Sequence, residues 1–156
     1  MSIELGQQLP DIALPADNGE HISLTDFQGK YIVLYFYPKD MTPGCTTQAC
    51  DFRDSYQSFS ELDAVIVGVS PDPADKHQKF KEKHDLPFHL LVDGEHKLSE
   101  EFEVWKLKKN FGKEYMGIER STFIFDKKGR LIKEWRKVKV KGHVEEALEY
   151  IRETEK

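Results

Sequence analysis

The sequence predicts an α/β fold in which helices flank a central mixed sheet. Two continuously apolar runs, at residues 31–37 and 64–70, are typical of central strands, because a half-exposed strand would alternate apolar and polar residues. Thr42 and Pro43 lie between these runs and have the chemistry of a helix start, an N-cap followed by proline at the first helical position. The three segments therefore predict a βαβ unit, whose helix begins at the carboxyl edge of the first strand.

Two turn signals predict hairpins in the rest of the chain. Asp17-Asn18-Gly19 separates two short apolar stretches and predicts an N-terminal β-hairpin extension. Lys127-Lys128-Gly129 predicts a second hairpin. Residues 106–116, rich in Lys, Asn and Gly, are expected to form an excursion from this alternation of strands and helices. The other predicted strands are residues 12–14, 21–24, 88–92, 122–126 and 131–138, and the other predicted helices are residues 73–83, 98–103 and 143–153.

Length and composition are typical of a small globular enzyme. We expect one domain spanning residues 1–156, because no repeat or linker divides the chain. Hydrophobic residues make up 38% and charged residues 33%, and no run approaches the ~20 apolar residues of a membrane span. A net charge of -5 argues against nucleic acid as the main partner. The N-terminus lacks the basic and apolar parts of a secretory signal, so we expect a cytoplasmic protein.

The segment at residues 127–141 is basic in spite of the net negative charge. Lys137, Lys139 and Lys141 alternate with valines, which predicts that the three lysines share one face of a strand. We interpret this face as a solvated surface that protects a sheet edge, in preference to a binding patch.

The only two cysteines, Cys45 and Cys50, follow the predicted helix start directly. Cys45 falls in the first turn of that helix, where unpaired backbone N–H groups and the positive end of the helix dipole favour a thiolate. The simpler interpretation is that both cysteines are small buried residues without a chemical role, which suits Cys50 better than Cys45. A structural zinc site is disfavoured, because the six histidines show no Cys/His ligand spacing.

The spacing of the two cysteines constrains any chemistry between them. Five residues along an α-helix separate two Cα atoms by roughly 8.6 Å, whereas a disulfide needs about 7 Å or less. A Cys-x-x-Cys pair lies at about 5 Å and closes without backbone movement. A bond between Cys45 and Cys50 therefore requires the helix to unwind locally.

The motif Pro38-x-x-x-Thr42-x-x-Cys45 resembles the active-site signature of the peroxiredoxins. The longer run at residues 36–54 is similar to the bacterioferritin comigratory protein branch of that family, also called peroxiredoxin Q. Residues 24–30, 68–70 and 119–126 also fall, in order, where that branch has corresponding segments. The resemblance covers nearly the whole chain.

The resemblance implies a thioredoxin-like fold and a peroxidase that reduces hydrogen peroxide and organic hydroperoxides without a cofactor. Cys45 would be the peroxidatic cysteine, which becomes a sulfenic acid. The Thr42 hydroxyl, the backbone N–H groups of Gly44 and Cys45, and the guanidinium of Arg120 would donate to the leaving oxygen. Pro38 would shield the thiolate from water.

Each of these roles has a simpler alternative. Thr42 as an N-cap and Pro38 as a strand terminator would be purely structural. Arg120 would be an ordinary surface cation if Arg53 supplied the positive charge, but eight residues after Cys45 the helix has risen about 12 Å, which places Arg53 badly.

The resemblance also implies that Cys50 is the resolving cysteine, which forms an intramolecular disulfide after local helix unfolding. Thioredoxin or a glutaredoxin would reduce that disulfide, and the protein would be a monomer or a weak homodimer. Two positions depart from the family pattern, because Met41 and Gln48 stand where many members carry an acidic residue.

Two other classes of function stay open from the sequence. One is a thioredoxin-like oxidoreductase acting on protein disulfides, which the spacing of the cysteines disfavours. The other is a non-catalytic binding module with the thioredoxin fold, for which the basic segment at residues 127–141 would be the contact surface.

Overall fold

The computed structural model describes residues 3–155. Its secondary structure alternates strands and helices, as predicted. A 3-10 turn at Leu24–Phe27 follows the first two strands. The strands are β1 (Ala13–Pro15), β2 (His21–Ser23), β3 (Tyr31–Phe36), β4 (Ala64–Ser70), β5 (His89–Val92), β6 (Trp105–Asn110), β7 (Lys113–Ile118), β8 (Ser121–Phe125) and β9 (Leu131–Trp135), and the helices are α1 (Pro43–Asp54), α2 (Tyr56–Glu61), α3 (Ala74–His84), α4 (Lys97–Glu101) and α5 (His143–Glu155).

The central sheet has five strands in the order β5-β4-β3-β8-β9. Strands β3, β4 and β5 run parallel, while β8 is antiparallel to β3 and β9 is antiparallel to β8. The sheet is therefore mixed, as the sequence predicted. Because β8 runs against β3, its first residue, Ser121, pairs with Phe36 at the carboxyl end of β3. The residue before β8 thus reaches the edge where α1 begins.

Strand β3 is buried on both faces, which explains its continuous apolar sequence. Alternate side chains point to opposite sides of the sheet. Tyr31, Val33 and Tyr35 pack with buried residues of α1, α2, α3 and α5. Ile32 and Leu34 pack on the other side, with the N-terminal ribbon and α4. The sheet therefore lies between two apolar layers.

The predicted N-terminal hairpin is confirmed as the antiparallel pair β1–β2. Gly19 adopts a positive φ of 85° in the connection, and the Asn18 side chain accepts a hydrogen bond from the Glu20 N–H. These are the roles that Asn-Gly commonly plays in a turn.

Residues 106–116, predicted as an excursion with no strand assigned to it, belong to the hairpin β6–β7 outside the central sheet. Phe111 and Gly112 connect the strands with φ values of 52° and 76°, which fits a two-residue turn of type I′. Exposed side chains such as Leu107 and Tyr115 lie on this hairpin. Because the hairpin lies outside the central sheet and most of its side chains are exposed, its sequence carries only a short alternation, at Trp105-Lys106-Leu107-Lys108.

The prediction for the basic segment was wrong. Strand β9 ends at Trp135, which pairs with Thr122 near the beginning of β8, so the chain beyond it has almost no neighbouring strand left to pair with. Lys137 has a left-handed φ of 52°, and the lysines at 137, 139 and 141 lie outside any strand. They do not share one strand face. The short helix α2 was also missed, since six largely polar residues carry little periodic signal.

Within the described residues, no helix combines the length and the apolar character needed to cross a bilayer.

Candidate active site

Cys45 lies at the third position of α1, just beyond the carboxyl end of β3. Thr42 has the extended backbone of an N-cap residue and Pro43 begins the helix, as predicted. The thiol is 1% exposed and unbonded to another cysteine. First-turn N–H groups have no acceptor within their own helix, so this end of α1 favours negative charge on the sulfur.

Arg120 reaches the same sulfur from the start of β8. Its Nη2 donates to Cys45 Sγ at 3.3 Å, and its Nη1 donates to Gln48 Oε1 at 2.6 Å. A Cβ added at Gly44 would lie 3.3 Å from Nη2, so the glycine leaves room for the guanidinium. The structure therefore joins a cation to a thiol placed at a helix N-terminus.

Gln48 is fully buried one helical turn after Cys45. Because a guanidinium only donates, the amide oxygen must be the atom that faces Arg120. The amide nitrogen, Nε2, has no hydrogen-bond partner among residues 3–155. The sequence showed Gln48 only as a departure from a family pattern, and no local signal indicated its contact with a residue 72 positions away.

The Thr42 hydroxyl does not cap α1. It donates to the backbone carbonyl of Lys39 at 2.9 Å, and no side-chain cap bond closes this end of α1 among the described residues. The capping interpretation is thus right for the backbone and wrong for the side chain. With its hydrogen engaged in the loop, the hydroxyl oxygen presents acceptor lone pairs.

Pro38 follows β3 and opens the loop that leads to α1, where it is half-buried. The loop is anchored by Asp40, whose carboxylate accepts from the Tyr37 hydroxyl at 2.6 Å and lies 2.5 Å from His77 Nδ1. His77 Nε2 lies 2.9 Å from the Leu91 carbonyl, an acceptor, and so carries a hydrogen. These buried bonds tie the loop to α3 and β5, and sequence analysis did not identify them.

Cys50 is half-buried on α1, and its side chain meets α3, not Cys45. Its Sγ lies 3.8 Å from His84 Nδ1 at the end of α3. Arg53 donates to the His84 carbonyl at 2.9 Å and pairs with Asp54 at 3.0 Å. Arg53, the alternative cation for the site, is therefore engaged beside Cys50, while Arg120 contacts Cys45.

Two neighbouring groups have shifted pKa values. Burial raises the pKa of Tyr35 well above its usual value, and the charges of Cys45 and Asp40 add to the effect. Burial, followed by the charge of Arg120, lowers the pKa of the Lys108 ammonium. The hairpin β6–β7 therefore brings Lys108 close enough to sense the cation of the site.

Nothing in the described part of the chain groups three or more His, Cys, Asp or Glu side chains in a way that would hold a metal ion. The chemistry that the described residues offer is that of a thiol next to a guanidinium, with a second thiol five residues later.

Known proteins resemble the chain over nearly its full length. The AhpC/TSA family matches residues 5–134. Peroxiredoxin Bcp of Bacillus subtilis is 74% identical over 153 residues, which cover 98% of each chain. Peroxiredoxin Bcp of Escherichia coli K12 is 39% identical and covers 97% of each chain.

Solved structures give the same result for the fold. PrxQ of Xylella fastidiosa superposes with a TM-score of 0.95 at 33% identity, covering 100% of this chain and 99% of that one. The bacterioferritin comigratory protein of Xanthomonas campestris, studied for its alkyl peroxide reduction activity, gives 0.92 at 38% identity, with coverage of 98% and 100%. The predicted thioredoxin-like fold is confirmed. The chain belongs to the AhpC/TSA family and, within it, to the peroxiredoxins of the Bcp, or peroxiredoxin Q, type.

Proposed function

We propose that this peroxiredoxin reduces hydrogen peroxide and organic hydroperoxides through Cys45. The observation that carries the proposal is the 3.3 Å contact between Arg120 Nη2 and Cys45 Sγ at the N-terminus of α1. A guanidinium and a helix terminus both favour a thiolate, which is the nucleophilic form. The same two groups stabilise negative charge that develops on a leaving oxygen.

The first step breaks the O–O bond of the peroxide. The Cys45 thiolate attacks one oxygen, which stays on sulfur as a sulfenic acid, and the other oxygen leaves as hydroxide or alkoxide and takes up a proton. Arg120 and the N–H groups of Gly44 and Cys45 donate to the reacting oxygens. The resemblance implied that the Thr42 hydroxyl donates, but its hydrogen is donated to the Lys39 carbonyl, so in this proposal its oxygen instead accepts the hydroxyl hydrogen of the peroxide. Pro38 limits the access of water from the loop side.

The second step joins the two cysteines. The Cys50 thiol condenses with the sulfenic acid, so that a disulfide forms and water leaves. Since α1 runs unbroken from Pro43 to Asp54, the helix must unwind before the sulfurs can meet. Thioredoxin or a glutaredoxin then reduces the disulfide by thiol exchange.

The cellular context follows from this cycle. Because both cysteines lie in one helix, the cycle needs no second subunit, and we propose a monomer or weak homodimer that acts as one domain over residues 1–156. A cysteine pair that must be reduced after each turnover fits the reducing cytoplasm.

The test is peroxide consumption with thioredoxin, thioredoxin reductase and NADPH. Wild type should turn over, Cys45→Ser should be inactive, and Cys50→Ser should consume about one peroxide per chain before stalling, because one sulfenic acid forms and is not resolved. Peroxidase activity in Cys45→Ser would disprove the role of Cys45. Disulfide reduction without peroxide turnover in wild type would favour a protein disulfide oxidoreductase.

A further inference from the structure

Two residues on one face of α1 are held by the end of α3. Cys50 Sγ lies 3.8 Å from the imidazole of His84, and the Arg53 guanidinium donates to the His84 backbone carbonyl at 2.9 Å. Both contacts therefore converge on a single residue. They link the part of α1 that carries Cys50 to a neighbouring helix.

His84 is well suited to act as a fixed anchor. It is the last residue of α3, and Asp85 follows in a left-handed conformation with φ of 51°, so the His84 carbonyl lies among the last four, which have no partner within the helix. The Phe80 ring contacts the imidazole edge-on, with the centroids 5.4 Å apart. Phe80 is fully buried, so the hydrophobic core fixes the ring against which the His84 imidazole packs.

These contacts exist only while α1 is folded. Formation of a disulfide between Cys45 and Cys50 requires local unwinding, which withdraws Cys50 from His84 and disturbs Arg53 three residues later. A contact made in the folded arrangement and lost in the unwound one shifts the equilibrium toward the folded arrangement. The contacts with His84 therefore oppose the resolving step.

We propose that Arg53 and His84 form a clasp that holds Cys50 on α3 and thereby limits the rate at which the sulfenic acid of Cys45 is resolved. The inference rests on the proposed function, in which Cys50 is the resolving cysteine. Arg53 and His84 are positioning residues in this scheme, because they act on the reaction through Cys50.

The clasp has a chemical consequence for the sulfenic acid. Either Cys50 condenses with it to give a disulfide and water, or a second peroxide transfers an oxygen to it, giving a sulfinic acid and the corresponding water or alcohol. A slower first route leaves more time for the second. Arg53 and His84 thus set the partition between reversible and irreversible oxidation of Cys45.

Two variants release the clasp at different points. Arg53→Met removes the hydrogen bond to the His84 carbonyl while keeping the aliphatic part of the side chain. His84→Phe removes the imidazole that meets Cys50 but keeps a ring against Phe80 and the carbonyl for Arg53. Asp54→Asn is the matched control, since it weakens the exposed ion pair of Arg53 and leaves both contacts with His84 in place.

The measurement is a single turnover in full-length protein. Reduced protein is mixed with one equivalent of hydrogen peroxide, quenched with a thiol-blocking reagent at set times, and its free thiols and sulfenic acid are counted by intact mass. Arg53→Met and His84→Phe should form the disulfide about two- to tenfold faster than wild type, the range that one net hydrogen bond supplies. At excess peroxide they should accumulate less sulfinic acid. Asp54→Asn should match wild type in both measurements.

A general loosening of the fold is distinguished by the first step. A disturbed Cys45 site would slow the reaction of Cys45 with peroxide, so that rate is measured in the same experiment together with thermal stability. If the resolving step is unchanged or slower in both variants, the clasp proposal is wrong. If it is slower in His84→Phe alone, the proposal is also wrong, and the result favours an imidazole that accepts the Cys50 proton. If wild type forms no disulfide between Cys45 and Cys50, the proposed resolving role fails, and the clasp falls with it.

Discussion

Arg120 Nη1 donates to Gln48 Oε1 at 2.6 Å, and the same guanidinium contacts the Cys45 thiol, which lies one helical turn before Gln48 in α1. A neutral amide at this position holds Arg120 without neutralising it, so the full charge of the guanidinium acts on Cys45. A carboxylate here would hold the guanidinium through a charged pair and would add negative charge beside the sulfur. In the proposed mechanism, the lack of charge on Gln48 therefore favours the Cys45 thiolate more than a carboxylate at the same position would.

Gln48→Glu should make the fold more stable and should slow the reaction of the thiol with peroxide. The new carboxylate gives Arg120 an ionic partner, and a charged pair forms a stronger hydrogen bond than the neutral amide oxygen does. Its negative charge disfavours the Cys45 thiolate, and we expect the second-order rate constant with hydrogen peroxide at pH 7 to fall about three- to tenfold. Stopped-flow kinetics and thermal melts test both parts. Gln78→Glu, on the exposed side of α3, should change neither, and a faster Gln48→Glu enzyme would contradict the argument.

Arg120→Lys should retain the positive charge but react more slowly with peroxide than wild type does. An ammonium is a compact charge, whereas the guanidinium reaches Cys45 and Gln48 with two separate nitrogens. Arg120→Met should lower the peroxide rate by about 10²–10³, as expected for the loss of one preorganised donor, and Arg120→Lys should fall between that variant and wild type. Arg130→Lys, exposed in the turn before β9, is the control. Wild-type kinetics in Arg120→Lys would show that charge alone is sufficient.

Loss of the hydroxyl should destabilise the fold at Tyr37 but not at Tyr35. The Tyr37 hydroxyl donates to Asp40 at 2.6 Å in the core, so Tyr37→Phe should cost about 1–3 kcal/mol of unfolding free energy by leaving a carboxylate oxygen without its donor. The buried Tyr35 hydroxyl has no partner within the described chain, so Tyr35→Phe should cost nothing or should stabilise the fold. Urea unfolding at pH 7 compares the two variants directly. Equal losses would refute the assignment.

His143 should make stability depend on pH. Burial lowers the pKa of this imidazole from its usual 6.5, the Arg120 charge acts in the same direction, and Glu146 acts against both. The unfolded chain therefore binds the proton more readily than the folded one. The contribution of neutral His143 is complete above pH 6.5 and is lost as the pH falls through the lower folded-state value.

His143→Gln should accordingly flatten the pH dependence of stability. Urea midpoints measured between pH 5 and pH 7 should rise less steeply in this variant than in wild type. The exposed His21 provides the control, because His21→Gln should retain the wild-type slope. A steeper slope in His143→Gln would reverse the sign of the proposed linkage.

The position of Cys45 could be predicted from local sequence alone. An apolar run, a short loop and the pair Thr42-Pro43 specify a strand followed by a helix start, and each signal acts within a few residues. The residues that contact the thiol could not be predicted from local sequence. Arg120 emerged through a family resemblance, and its contact with Gln48 depends on the pairing of β8 with β3, which no local pattern encodes.

The sequence was least informative where contacts join distant segments. Nothing near Cys50 or Asp40 in the chain indicates that a histidine on α3 lies beside each of them. The alternation of lysines and valines at residues 137–141 suggested a strand, but alternation predicts a strand only where a neighbour is available for pairing. That neighbour, β8, begins at Ser121, so beyond Trp135 the strand pairing gives way to an isolated backbone hydrogen bond from the Val138 N–H to the Arg120 carbonyl.

The antiparallel pairing of β8 with β3 also bears on how the protein is made. It brings together two groups 75 positions apart, Arg120 and Cys45, so the guanidinium arrives only after most of the chain has been synthesised. A chain in which β8 has not paired with β3 lacks the contact between Arg120 and Cys45. In the proposed mechanism, Cys45 therefore gains the help of Arg120 in its reaction with peroxide only once β8 has joined the sheet.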